Sequence, residues 1–139
     1  MLDNFNILVQ RDPQNALLVA SEEWKQTLFQ AEVISPENDG REIKNIVIAG
    51  MGGSALAGLI VKKWLENDIT LPIEVVRNYI LPKNVSKNTL VIISSYSGNT
   101  EETVSALHQA IEIGAQIATI SSHGKIEEIA RSRDIAHVK

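Results

Sequence analysis

Where the apolar run TLVII at 89–93 ends, the stretch SSYSGNTEET at 94–103 packs three serines and two threonines into ten positions. Ser95, Ser97 and Thr100 each offer a hydroxyl that can donate a hydrogen bond, Gly98 permits a tight turn, and a helical pattern starts at Asn99 or Thr100. An earlier loop, AGMGGSALAG at 49–58, has the same character. Its Gly50, Gly52 and Gly53 allow positive φ and close backbone approach, and Ser54 supplies a fourth hydroxyl as a helix begins. Exposed N–H groups and the helix dipole make such a terminus an anion site without a lysine. Neutral donors grouped in this way suit a phosphate monoester carried by a small polar metabolite.

Two other readings use the same residues. Serine, asparagine and threonine ahead of a helix are ordinary caps, so Thr100 and Thr103 could simply satisfy helix-end N–H groups. Gly50, Gly52 and Ala55 also satisfy GxGxxA after a strand, the outline of a dinucleotide loop. The second strand then ends in VVRN, with Glu74 too early to meet a ribose, although Arg77 could receive a 2′-phosphate as in NADP. No GxxxxGK[ST] occurs, which excludes a Walker A loop.

Positioning these loops requires strands and helices in alternation. Short β-branched runs predict strands at 46–49, 73–76, 90–94, 116–120 and 135–138, with helices at 53–66, 99–113 and 125–132 between them. Leu56, Ile60 and Trp64 share one face of the first of these helices, and Val104, Leu107 and Ile111 share one face of the second. Gly114 is a fitting stop for the second. The pattern predicts an α/β fold of three layers, a five-stranded parallel sheet flanked by helices. Ligands then bind beyond the carboxyl ends of the strands, where both loops stand.

Ahead of this region, residues 15–33 predict one long helix with Leu17, Trp24, Leu28 and Ala31 on a packing face, followed by a loop at SPENDGRE, 35–42. The segment NYILPKNVSKNT at 78–89 has no helical period. Residues 1–44 thus read as a helical lead-in and 45–139 as the main domain.

Composition narrows the function classes. A net charge of −4 and 4% aromatic residues argue against a nucleic-acid binder. Without cysteine there are no disulfides, thiolate metal sites or cysteine nucleophiles, and a cytoplasmic location fits. The N-terminus does not read as a signal peptide, and the uncharged stretch at 46–61 is too short and too glycine-interrupted for a membrane span. His108 and His137 lack partners at metal-ligand spacing, so no metal or other cofactor is expected. Of the histidines, only His123, in SSHGK after the fourth strand, is placed to face the same ligand mouth, although a solvated loop role accounts for it as well. Glu22 with Lys25, and Glu127 with Arg131, read as helix-surface pairs.

MGGSALAG followed by SSYSGNTEET resembles the sugar isomerase (SIS) domain and, within it, the bifunctional phosphoglucose/phosphomannose isomerases. The resemblance runs from about Asn45 to Lys139. It implies a flavodoxin-like SIS fold, phosphate contacts from Ser54, Ser95, Ser97 and Thr100, and backbone contacts from Gly52 and Gly53. Glu102 matches the glutamate of the motif, a supporting residue or a first-turn acid. The implied substrates are glucose 6-phosphate, mannose 6-phosphate and fructose 6-phosphate, interconverted through a cis-enediolate by a homodimeric enzyme. The implied catalytic residues lie in a second SIS domain beyond Lys139 or come from a partner subunit, so the chain reads as a first half, inactive alone. A regulatory SIS module that senses a phosphosugar is the alternative from another class.

Overall fold

A computed structural model describes residues 5–34 and 40–139. The chain divides into two compact units, Met1–Ala31 and Glu32–Lys139.

In the first unit, helices α1 (Phe5–Arg11) and α2 (Ala16–Glu22) are followed by a 3₁₀ segment, Glu23–Leu28. Asp12 starts α2, its carboxylate accepting from the N–H groups of Ala16 at 2.8 Å and Leu17 at 2.9 Å. The long helix expected over 15–33 is therefore much shorter. Phe29 turns extended at φ −65°, ψ 128°, and the β-branched pair Val33–Ile34 forms strand β1 instead. Leu17, Trp24 and Leu28, read as a packing face, are exposed. Glu22 and Lys25 pair at 2.6 Å. Of the expected loop at 35–42, residues 35–39 lie outside the described residues.

The second unit is built on a sheet. Its strands are β1, β2 (Asn45–Gly50), β3 (Ile73–Val76), β4 (Thr89–Ser94), β5 (Gln116–Ile120) and β6 (Ala136–Val138), in the order β1-β6-β5-β4-β2-β3. The five expected strands are present and parallel. A sixth, β1, adds antiparallel to the edge of β6, where Glu32 and Lys139 exchange backbone hydrogen bonds of 3.1 and 2.9 Å. Counting the parallel strands along the chain, their order is 2-1-3-4-5, the flavodoxin-like arrangement. The dinucleotide-binding arrangement places the third strand outside the second, whereas here β4 lies on the opposite side of β2 from β3.

Helices α4 (Glu101–Ile113) and α5 (Lys125–Ser132) cover one face of the sheet. Leu107 and Ile126 reach zero exposure there against Val47, Val91, Ile93 and Ile117, with Val104 and Ile111 packed beside them. Burying a side chain of that size contributes about 1.5–3 kcal/mol. Gly114 ends α4 at φ 74°, its N–H meeting the Ala110 and Ile111 carbonyls.

Helix α3 (Gly52–Trp64) packs on β2 and β3. The face expected to pack, Leu56, Ile60 and Trp64, is exposed, and Ala55 and Gly58 are buried instead. The reason is the closeness of the approach. A Cβ on residue 58 would come within 3.0 Å of Ile48 Cγ2, so only small residues fit beneath the helix. Among the described residues, no helix is long and apolar enough to cross a membrane.

Candidate phosphate cradle

Gly50 is registered against Ser94, so the chain leaves β2 and β4 side by side. Strand order reverses at this pair, because β3 lies beyond β2 while β5 and β6 lie beyond β4. Connections diverge to opposite faces at such a reversal and leave a crevice above it. Both loops singled out by their residue chemistry emerge there. A Cβ on Gly50 would sit 3.1 Å from the Ser94 carbonyl oxygen and 3.2 Å from the Ala55 nitrogen, which explains glycine at the junction.

Each loop leads into a helix whose N-terminus has no side-chain cap: Met51 precedes α3 and Thr100 precedes α4. The capping role considered for Thr100 is therefore not realised. Its hydroxyl stands 2.9 Å from Ser95 Oγ, and Thr103 donates its own hydroxyl back to the Thr100 carbonyl at 2.8 Å. First-turn amides of both helices are thus left without a side-chain acceptor, the electrostatic condition for holding an anion.

The hydroxyls differ in freedom. Ser95 is buried and its N–H donates to the Ile120 carbonyl at 3.0 Å, so Ser95 fixes the floor. Ser97 is exposed, its Oγ accepting weakly from Asn99 N–H at 3.3 Å. Ser54 is half-buried, and among the described residues no group hydrogen-bonds its hydroxyl. Gly52 (φ 54°) and Gly53 are exposed, with open space where a Cβ would be.

A third loop, SSHGK, braces the second, a role that sequence reasoning did not assign to it. Lys125 N–H donates to Asn99 Oδ1 at 3.1 Å, Ile126 N–H to the Gly98 carbonyl at 3.0 Å, and Ser122 to the Tyr96 carbonyl from both N–H and hydroxyl. Gly98 has φ 65°, and a Cβ there would stand 1.6 Å from the His123 carbonyl oxygen. His123 therefore contributes its main chain to the brace, while its exposed imidazole meets Ser122 Oγ at 2.7 Å. The signal in the sequence was a small-residue loop after a neighbouring strand.

Two carboxylates and a phenol meet at the first turn of α4. Glu102 is half-buried in the first turn of α4, next to exposed Glu101, whose Oε2 lies 3.3 Å from the Tyr79 hydroxyl. The negative charge of Glu102, then lost solvation and Glu101, hold the Tyr79 phenol above its ordinary value. Tyr79 was also missed, although it follows the carboxyl end of β3. Among the described residues no cluster of potential ligands would hold a metal, and His108 is exposed on α4.

Comparison with known proteins agrees with this architecture. Residues 41–138 match the model of the SIS domain. The chain belongs to the SIS domain family. It is 44% identical over 97 residues to a bifunctional phosphoglucose/phosphomannose isomerase of Caldicellulosiruptor bescii, covering 70% of this chain and 29% of that one. An Aquifex aeolicus protein of the same description is 46% identical over 89 residues, covering 63% of this chain and 28% of that one. The chain thus spans less than a third of the length of these curated relatives. Among solved structures, tagatose-6-phosphate ketose/aldose isomerase of Escherichia coli superposes with a TM-score of 0.57 at 23% identity, over 86% of this chain and 32% of that one, a likeness of fold.

Proposed function

We propose that this SIS domain holds the phosphate of a sugar phosphate for an enzyme that interconverts glucose 6-phosphate or mannose 6-phosphate with fructose 6-phosphate. The observation that carries the reading is the Gly50–Ser94 register, which brings two hydroxyl-bearing loops and two uncapped helix ends to one reversal of the sheet.

In this reading Ser54, Ser97 and Thr100 donate to phosphate oxygens, Ser95 donates or orients Thr100, and the amides of Gly52 and Gly53 approach the ligand. Glu102 supports the sugar end, and His123 acts through its loop. Aldose–ketose exchange needs the ring opened and a proton moved between C1 and C2 through a cis-enediolate. The cradle hydroxyls are too weakly basic for that transfer. Their part is to fix the phosphate so that a base supplied elsewhere in the enzyme meets the correct carbon. Residues 45–139 then form the working domain and 1–44 a helical lead-in. We place such an enzyme in the cytoplasm, as a homodimer, in glycolysis and gluconeogenesis.

A chimera tests the enzymatic reading. Residues 41–138 replace the matched segment of the Caldicellulosiruptor bescii relative, and interconversion of the three hexose phosphates is assayed. Activity that disappears when Ser97→Ala and Thr100→Ala are added supports the reading; an inactive but folded and phosphosugar-binding chimera contradicts it.

A further inference from the structure

The segment after β3 is fastened to α4 by side chains that otherwise have no evident purpose. The Tyr79 carbonyl accepts from Ser105 Oγ at 3.0 Å and from Gln109 Nε2 at 2.5 Å, while Gln109 Oε1 accepts from Leu81 N–H at 3.1 Å. Asn78 Oδ1 accepts from the Tyr79 N–H at 2.7 Å. These bonds fix the backbone of an otherwise irregular stretch. From that fixed backbone the phenol reaches back to Glu101, one helical turn before Ser105 on α4. The hydroxyl thereby meets the first turn of α4 at Glu101, the residue that follows Thr100 in the chain. Tyr79 stays 45% exposed, so its polar end is available to a ligand.

A phenol beside a carboxylate is suited to reading an uncharged hydroxyl. The Tyr79 O–H donates to Glu101, its oxygen lone pairs accept from a ligand hydroxyl, and Glu101 accepts a second. The same carboxylates, Glu101 and Glu102, repel a second anionic group brought beside them. We propose that Tyr79, whose backbone is held by Gln109 and Ser105, is a specificity residue that recognises the neutral polyol chain of a sugar monophosphate and, with Glu101, disfavours sugar bisphosphates. The inference rests on the phosphosugar reading above.

Calorimetric titration of the 139-residue chain with inorganic phosphate, fructose 6-phosphate and fructose 1,6-bisphosphate tests it. Tyr79→Phe keeps the backbone anchors, so unchanged circular dichroism and thermal midpoint are expected. The substitution is expected to weaken fructose 6-phosphate about 3- to 10-fold, the worth of one lost hydroxyl contact, and inorganic phosphate less than about twofold. Glu101→Gln is expected to narrow the preference for monophosphate over bisphosphate by about 3-fold or more. Equal weakening of phosphate and fructose 6-phosphate by Tyr79→Phe, or no change in either, overturns the inference while leaving the cradle intact. Failure of both to bind the wild-type chain overturns the phosphosugar reading itself.

Discussion

The hydroxyls of Ser95 and Thr100 lie 2.9 Å apart, across the turn that carries Ser97 and Gly98. Ser95 is buried and Thr100 half-buried, so one member of the pair is fixed just past β4 and the other is partly open to solvent. The contact converts two side chains that the sequence presents as independent donors into a linked pair. An acceptor placed on Thr100 would meet a hydroxyl already oriented by Ser95.

The link makes their substitutions non-additive. Thr100→Val and Ser95→Ala are each expected to weaken fructose 6-phosphate about 5- to 20-fold in titrations, the range for removing one hydroxyl from an anion site. The double variant should lose less than the product of the two. A coupling of about 0.5–1.5 kcal/mol in the double-mutant cycle marks a shared element, and strict additivity shows that the hydroxyls act separately.

Gly98→Ala is expected to be damaging although it removes no side chain that would contact a ligand. Position 98 has a left-handed φ, and the added methyl meets the His123 carbonyl oxygen at a separation no packing tolerates. The second and third loops must part, with a loss of at least ~2 kcal/mol in urea unfolding and of phosphate binding. The neighbouring Gly124 is braced likewise, since a Cβ there would stand 2.6 Å from the Ser97 carbonyl oxygen. Retained stability in Gly98→Ala would mean that the brace is dispensable.

His137 on β6 gives the fold a pH dependence. It is 1% exposed, with Nδ1 2.8 Å from Thr119 Oγ1 and Nε2 without a hydrogen-bond partner among the described residues. Burial holds its pKa below the ordinary 6.5, outweighing the charge of Glu127. A depressed value in the folded state means the unfolded chain binds the proton first. Stability is therefore full above about pH 6.5 and declines as pH falls through the folded value. Urea midpoints measured between pH 8 and pH 5 should show this decline, and His137→Asn should flatten it. An equal slope in the variant assigns the dependence elsewhere.

Much of the sheet was legible in the sequence because each parallel strand is a short apolar run closed by glycine, proline or polar residues. Strand β1 was not, since two residues such as Val33 and Ile34 have no period of their own and are strand only through their pairing with His137 and Val138. The packing face of α3 was misread for a related reason. Hydrophobicity pointed to Leu56, Ile60 and Trp64, whereas the short distance to Ile48 and Val75 selects Ala55 and Gly58.

In the cradle, the residue types Ser54, Ser95, Ser97 and Thr100 and their place after strands were readable from spacing. Their partnerships were not. Thr100 had the local pattern of a cap, and only its contact with Ser95 shows otherwise. Tyr79 escaped notice because its backbone is held by Gln109, thirty residues away along the chain.

The central claim is that the chain holds a sugar phosphate between the loops after β2 and β4. Amide chemical shifts recorded during titration with fructose 6-phosphate, and separately with NADPH, test it most directly. The account predicts saturable shifts from fructose 6-phosphate centred on Gly52–Ser54 and Ser95–Glu102, abolished in the Ser97→Ala, Thr100→Ala double variant. Saturable shifts from NADPH with none from fructose 6-phosphate would contradict it.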